Sequence, residues 1–158
     1  MHRDHAAAIR AGLQRWLARP DVKSAKASVV GYSLGGWLAI SFANRMPEQV
    51  SAVVAFYPST FRIADVGAWL ATPPASVPTL LLAGVRDTYM NCCTIERARE
   101  IAAAAAAPAT RSPIEVVEVP DANHGFALAA YPSYRPAEAA ATFARALEHL
   151  RKFGAGAR

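Results

Sequence analysis

Cysteine is nearly absent from this chain: two residues in 158, and they are neighbours, Cys92 and Cys93. Adjacent cysteines cannot close a loop, so a disulfide framework is excluded. They are expected as reduced thiols packed near the start of a helix, which fits a cytoplasmic setting. No Cys or His falls at a spacing that suits zinc, and neither a metal nor an organic cofactor is expected. No window reaches the roughly 18 apolar residues that a membrane span needs. The opening MHRDHAAAIRAGLQRWLARP has no apolar signal core. Lysine is scarce as well. The formal charge of +5 rests on fourteen arginines and three lysines scattered along the chain, with no basic run beside aromatics. That pattern points to neither nucleic acid nor membrane as a partner.

What is present is a core. Apolar residues make up 53% of a chain the length of one ordinary domain, too apolar for disorder. Ile9, Leu13, Trp16 and Leu17 recur on one face of an opening helix, with Asp4 as N-cap and Pro20 after its end. ASVVGY (27–32) reads as a buried strand, and Leu34, Leu38 and Phe42 take up helical spacing behind it. VSAVVAFY (50–57), PTLLLAG (78–84) and IEVVEV (114–119) are three further strands. The segment 58–78, with Pro58, Pro73, Pro74 and Pro78, is a connection holding one short helix. TIERAREIAAAAAA (94–107) is a helix by propensity. Residues 136–152 form the last one, carrying Phe143, Leu147 and Leu150, and the closing GAGAR is expected to fray. Strands alternating with helices imply right-handed crossovers: an α/β three-layer sandwich around a mostly parallel sheet of about four strands.

In such a sheet reactive groups gather at the C-terminal ends of the strands. Three residues fall there: Ser33 after the first strand, Asp87 after the third (LLLAGVRD) and His124 after the fourth (VEVPDANHGF). The trio is read as lying on three strands consecutive in space. A serine hydroxyl attacks only when an imidazole takes its proton, and the imidazole needs a carboxylate to set its tautomer and stabilise its cation. Gly31 and Gly35, two positions either side of Ser33, are expected to relieve the collisions of a tight strand-to-helix turn. The helix that follows aims its positive end at a developing oxyanion, with the Leu34 N–H as first donor. G-x-S-x-G alone arises by chance in roughly one chain in twenty of this length, so strand, helix and the order Ser, Asp, His carry the weight. Asp121, in the histidine's own loop, and Asp65 are the rivals of Asp87. His2, His5 and His149 lie on terminal helices and are expected in solvent.

GYSLGG, AVVAFYP, VPTLLLAGVRD and DANHGF together resemble the dienelactone hydrolase family of the α/β-hydrolases, over about residues 5 to 152. The resemblance implies Ser33 as nucleophile, Asp87 as acid and His124 as base, acting on small carboxylic esters or lactones. In that family the nucleophile is often cysteine, in G-Y-C-x-G-G; serine here moves the expectation toward ordinary carboxylesterases. Tyr57 matches a position near the family's pocket, and Tyr32 is the second candidate lining residue. The family's sheet has about eight strands, whereas this chain offers four. Residues 1–158 therefore read as a single domain lacking the N-terminal strands and the loop that supplies a second oxyanion donor. Strand 27–32 is left as an edge through which a homo-oligomer could form. A fragment of a longer enzyme, a self-pairing chain and a non-catalytic binding or assembly module all follow from that, the first being preferred.

Overall fold

The computed structural model describes residues 2–71, 76–108 and 112–154. Helix and strand alternate: α1 His2–Leu17, β1 Ala27–Tyr32, α2 Leu34–Arg45, β2 Val50–Phe56, α3 Val66–Ala71, β3 Thr79–Gly84, α4 Ile95–Ala106, β4 Ile114–Val119 and α5 Pro136–Phe153. Asp4 lies inside α1 and not ahead of it, so it is not the N-cap. Pro73, Pro74 and the tail beyond Gly154 fall outside the described residues, as do the side chains of His2 and His5.

The four strands form one sheet in the order β1-β2-β3-β4, every neighbouring pair parallel. β2 and β3 are apolar on both faces because both faces are covered. Val53, Ala55 and Leu81 point to one side, against Ile40 and Phe42 of α2, Val66 and Leu70 of α3, and Ile101 of α4. Val54, Phe56, Leu80 and Leu82 point to the other, against Phe126 and the Ala139 and Ala146 of α5. This is the three-layer α/β arrangement that the strand and helix alternation implies. β2 separates β1 from β3, so the strands that end in Ser33, Asp87 and His124 are not consecutive in space.

α5 packs by small residues. Its buried positions are Ala139, Thr142, Ala146 and His149, a stripe at helical spacing, while Phe143 and Leu147 are 40% and 52% exposed. Alanines let the helix approach the sheet closely, which leaves no room for the larger side chains on that line. Phe143 instead leans its ring on Phe56 from the side, with centroids 5.3 Å apart. Thr142 is tolerated in the core because its hydroxyl donates to the carbonyls of Glu138 and Ala139. His149, expected in solvent, is buried, with Nε2 3.3 Å from the Pro78 carbonyl oxygen.

The arginines are spent on the surface. Arg19, Arg86, Arg97, Arg99, Arg135 and Arg145 pair with Asp21, Asp121, Glu100, Glu118, Glu138 and Glu115. Exposed pairs of this kind contribute little to stability. At the other end of the sheet, β1 pairs only with β2 among the described residues, and Val30 is 45% exposed. Ile9, Leu13, Val29, Leu38 and Phe42 border a groove of about 280 Å³ beside this strand.

Burial pushes the His149 imidazole below its usual range, against a smaller upward pull from the Pro78 carbonyl. The unfolded chain therefore takes up that proton first as pH falls. The stabilising contribution of neutral His149 is complete above the ordinary imidazole value and is lost as pH drops below it toward the folded one. Urea unfolding at pH 7.5 and 5.5 should show a loss of stability in the parent that His149→Gln reduces, by no more than about 1.4 kcal/mol per pH unit for one proton. An identical pH slope in the variant would show that the imidazole is solvated.

Candidate active site

The turn from β1 into α2 is tight enough to force Ser33 to φ 51°, ψ −121°, a region that costs a non-glycine residue about 1–3 kcal/mol. Backbone bonds hold it there. The Ser33 N–H donates to the Phe56 carbonyl at 3.0 Å, and the Ser33 carbonyl accepts from Trp37 and Ser59 at 3.2 and 3.1 Å. Gly31 makes the turn possible, since a Cβ there would run into the backbone of Gly35 and Gly36. Gly35 is different from expectation. A Cβ on it would meet no described atom within 4 Å, whereas one on Gly36 would press on Pro58 at 3.1 Å. The second close approach is thus between Gly36 and the chain leaving β2, and Gly35 borders the open groove.

The other two residues arrive on loops tied to each other. Val85 and Arg86 donate to the carbonyls of Val119 and Ala122, both at 3.0 Å, so the loops after β3 and β4 run together. Asp87 is buried; its Oδ1 accepts from the Tyr89 N–H at 3.0 Å and its Oδ2 lies 2.8 Å from His124 Nδ1. His124 Nε2 lies 2.9 Å from Ser33 Oγ. The Ser133 hydroxyl donates to the His124 carbonyl, and Gly125 at φ 80° turns the loop beneath the Tyr131 ring. Hydroxyl, imidazole and carboxylate therefore stand in one hydrogen-bonded series at the C-terminal edge of the sheet. With the carboxylate holding the proton on Nδ1, the Nε2 lone pair faces the hydroxyl, a geometry suited to general-base activation of an alcohol.

The rivals of Asp87 are elsewhere. Asp121 is exposed and paired with Arg86, and Asp65 accepts from the Ala68 N–H at the start of α3. Tyr57 is not an open lining residue: it is 1% exposed, with φ 36°, and its ring meets the His124 ring edge-on with centroids 4.8 Å apart. Its hydroxyl has no partner among the described residues, and burial first, then nearby Tyr32, Tyr131 and Asp87, push its pKa far up. Tyr32 is half-buried and stacked on Phe56 at 4.8 Å. The sequence reading missed Tyr89. Half exposed, it stacks on the His124 ring with centroids 4.5 Å apart and planes 14° from parallel. Its place two residues after Asp87 was the one available signal. The two cysteines also differ from expectation: Cys92 and Cys93 are joined to each other as a disulfide, and both are buried.

The two glycines flanking Ser33 should respond oppositely to alanine. Gly31→Ala should lower thermal stability by roughly 1–3 kcal/mol or more through overpacking. Gly35→Ala should be neutral or stabilising by up to about 1 kcal/mol, from helix propensity. Thermal unfolding of the two variants distinguishes them; a costly Gly35→Ala would contradict the open space seen there.

Comparison with known proteins runs along the same lines. The model of the dienelactone hydrolase family matches residues 2–154. Among curated proteins none matches the sequence. Among solved structures, a protein described as a dienelactone hydrolase from Klebsiella pneumoniae superposes with a TM-score of 0.77 at 20% identity, over 94% of this chain and 60% of that one. The dienelactone hydrolase of Anabaena variabilis gives 0.67 at 21%, over 94% and 59%. Esterase 2 of Thermogutta terrifontis, phosphoramylated by tabun, gives 0.67 at 22%, over 94% and 62%. The chain spans about 60% of the length of these proteins, and at such identities the likeness is one of fold. With the family model covering nearly every residue, this chain belongs to the dienelactone hydrolase family.

Proposed function

We propose that the chain is a serine hydrolase that cleaves small carboxylic esters or lactones through an acyl-enzyme. The observation that carries this reading is the series Ser33 Oγ, His124 Nε2, His124 Nδ1, Asp87 Oδ2, with contacts of 2.9 and 2.8 Å at a strained strand-to-helix turn. Ser33 passes its proton to His124 as its oxygen bonds to the substrate carbonyl carbon. Asp87 stabilises the imidazolium, and the Leu34 N–H, in the first turn of α2 where helical N–H groups lack intrahelical partners, donates to the oxyanion. Collapse breaks the bond to the leaving alcohol, which takes the proton from His124. Water then repeats the cycle: it gives a proton to His124, attacks the acyl carbonyl, and Ser33 leaves with the proton returned. Tyr89 stacked on the imidazole and Tyr57 packed edge-on against it hold its orientation, and Tyr32 beside the serine supplies apolar wall. These side chains and one N–H supply every group the proposed steps use.

A second reading, an assembly module built on the same half-sheet, is favoured by one observation: among the described residues β1 is an edge, with an exposed Val30 and an apolar groove beside it. Such an edge can pair with another strand, including that of a second copy. Size-exclusion chromatography with light scattering separates the two readings, since a stable oligomer that no active-site probe labels supports assembly alone.

An organophosphorus probe is the apt test, a related fold being the one modified by tabun. The parent should be labelled by a fluorophosphonate and should hydrolyse p-nitrophenyl acetate. Ser33→Ala should lose labelling and at least about 10³-fold of the rate, and Asp87→Asn about 10⁴-fold through the wrong tautomer. Asp121→Asn should leave both unchanged. Labelling that persists in Ser33→Ala would remove Ser33 from the role given to it.

A further inference from the structure

The disulfide between Cys92 and Cys93 does not sit apart from the site. Each sulfur and one ring nitrogen of His124 lie within 4.8 Å of one another, with both cysteines buried and His124 8% exposed. The Ser59 hydroxyl is 3.9 Å from Cys92 Sγ and 4.0 Å from Cys93 Sγ, and the Phe61 N–H binds the Cys92 carbonyl at 3.0 Å. The short segment after β2 therefore holds the pair against the imidazole. Nothing in the proposed hydrolysis uses these sulfurs.

We propose that, once reduced, Cys92, Cys93 and His124 form a binding site for a soft divalent cation of the zinc class, and that the ion shuts the hydrolase off by taking the imidazole. Two thiolates and one imidazole are the donor set that such ions select over magnesium or calcium. With Zn–S near 2.3 Å and Zn–N near 2.0 Å, tetrahedral donors stand about 3.3–3.8 Å apart. Cleaving the S–S bond frees the sulfurs to separate to that spacing, and the histidine has about 1 Å to close. The fourth position is left to water. The sequence spacing hid this set, because Cys93 and His124 come together only across the β3 and β4 loops.

The chemistry balances with a dithiol as reductant. One of its thiolates attacks a cysteine sulfur and the S–S bond breaks to a mixed disulfide. Ring closure then expels the second cysteine. The dithiol is oxidised, and two cysteine thiols result. Zinc binding releases their two protons and draws on the lone pair of one ring nitrogen. Both ring nitrogens are engaged in the resting site, Nδ1 with Asp87 and Nε2 with Ser33. Metal at either one breaks the proton relay. The disulfide form has no thiolates to offer and is insensitive to the ion. The device would thus tie hydrolysis to two variables, thiol redox state and free soft metal.

The test uses the full chain, oxidised and dithiothreitol-reduced, with the reductant removed before the metal is added. Thiol titration should find two thiols per chain after reduction and none before. Cobalt(II), as a spectroscopic stand-in for zinc, should give a near-ultraviolet thiolate charge-transfer band with the reduced protein only. Zinc should cut hydrolysis of p-nitrophenyl acetate by the reduced protein about 10²-fold or more, the contribution of a general base, and a chelator should restore it. In the Cys92→Ser/Cys93→Ser variant the ratio of rates with and without zinc should stay near one and the cobalt band should vanish. Should that variant fail to fold, the oxidised parent and Cys93→Ala provide the same comparison. Absence of the band in reduced protein, or equal zinc inhibition of oxidised and reduced forms, would overturn the site. A chain that binds cobalt as described but turns over no ester would sustain the metal site and sink the hydrolase reading, so the two fail separately.

Discussion

The contact between Gly31 and the first turn of α2 governs the rest of the site. Because β1 must turn into a helix within one residue, Ser33 is left at positive φ with its hydroxyl 2.9 Å from His124 Nε2. The cost of about 1–3 kcal/mol for such a backbone is offset by what lies around it. β3 is buried along its whole length and β2 everywhere but at Ser51, and burying a single Val or Leu gains about 1.5–3 kcal/mol. Ser33 is also bonded through its N–H to the end of β2 and through its carbonyl to the segment beyond it. The strain is over-determined by the sheet, so a hydroxyl that would otherwise be mobile is held at a fixed point.

From that point the remaining geometry follows by proximity along one sheet edge. β3 and β4 are in register from Thr79–Ile114 to Gly84–Val119, so the loops that leave them start side by side. Gly84 allows Ala122 to press against the end of β3 where a Cβ would collide. Asp87 and His124 therefore share one compact surface. Two aromatic rings then contact the imidazole, the buried Tyr57 edge-on and the half-exposed Tyr89 stacked. Imidazole orientation, which decides whether Nε2 can meet the serine, is set by packing as much as by the carboxylate.

The same crowding explains the cysteines. The chain between Asp87 and α4 has seven residues in which to turn back toward the sheet, and it does so through Met90 and Asn91 at positive φ. This tight path sets Cys92 and Cys93 under the 57–61 segment and beside the imidazole. An imidazole and a disulfide are then neighbours through backbone geometry, without any shared helix or strand.

Much of this was legible from residue order. The four strands, the helices between them and the placement of Ser33, Asp87 and His124 at strand ends follow from local hydrophobic pattern and turn chemistry, because a buried parallel strand must be apolar on both faces and a reactive side chain must sit where it stops. What order along the chain could not decide was anything that depends on how close two elements come. Small residues on α5 buried His149 and turned Phe143 and Leu147 outward, reversing the expectation from side-chain size. Gly36, and not Gly35, met its neighbour. β2 came between the strands that bear the serine and the acid. The stacking of Tyr89 and the approach of Cys92 and Cys93 to His124 join residues more than thirty positions apart. Such contacts arise from the packing distance between layers and from the path of loops, which only the folded chain defines.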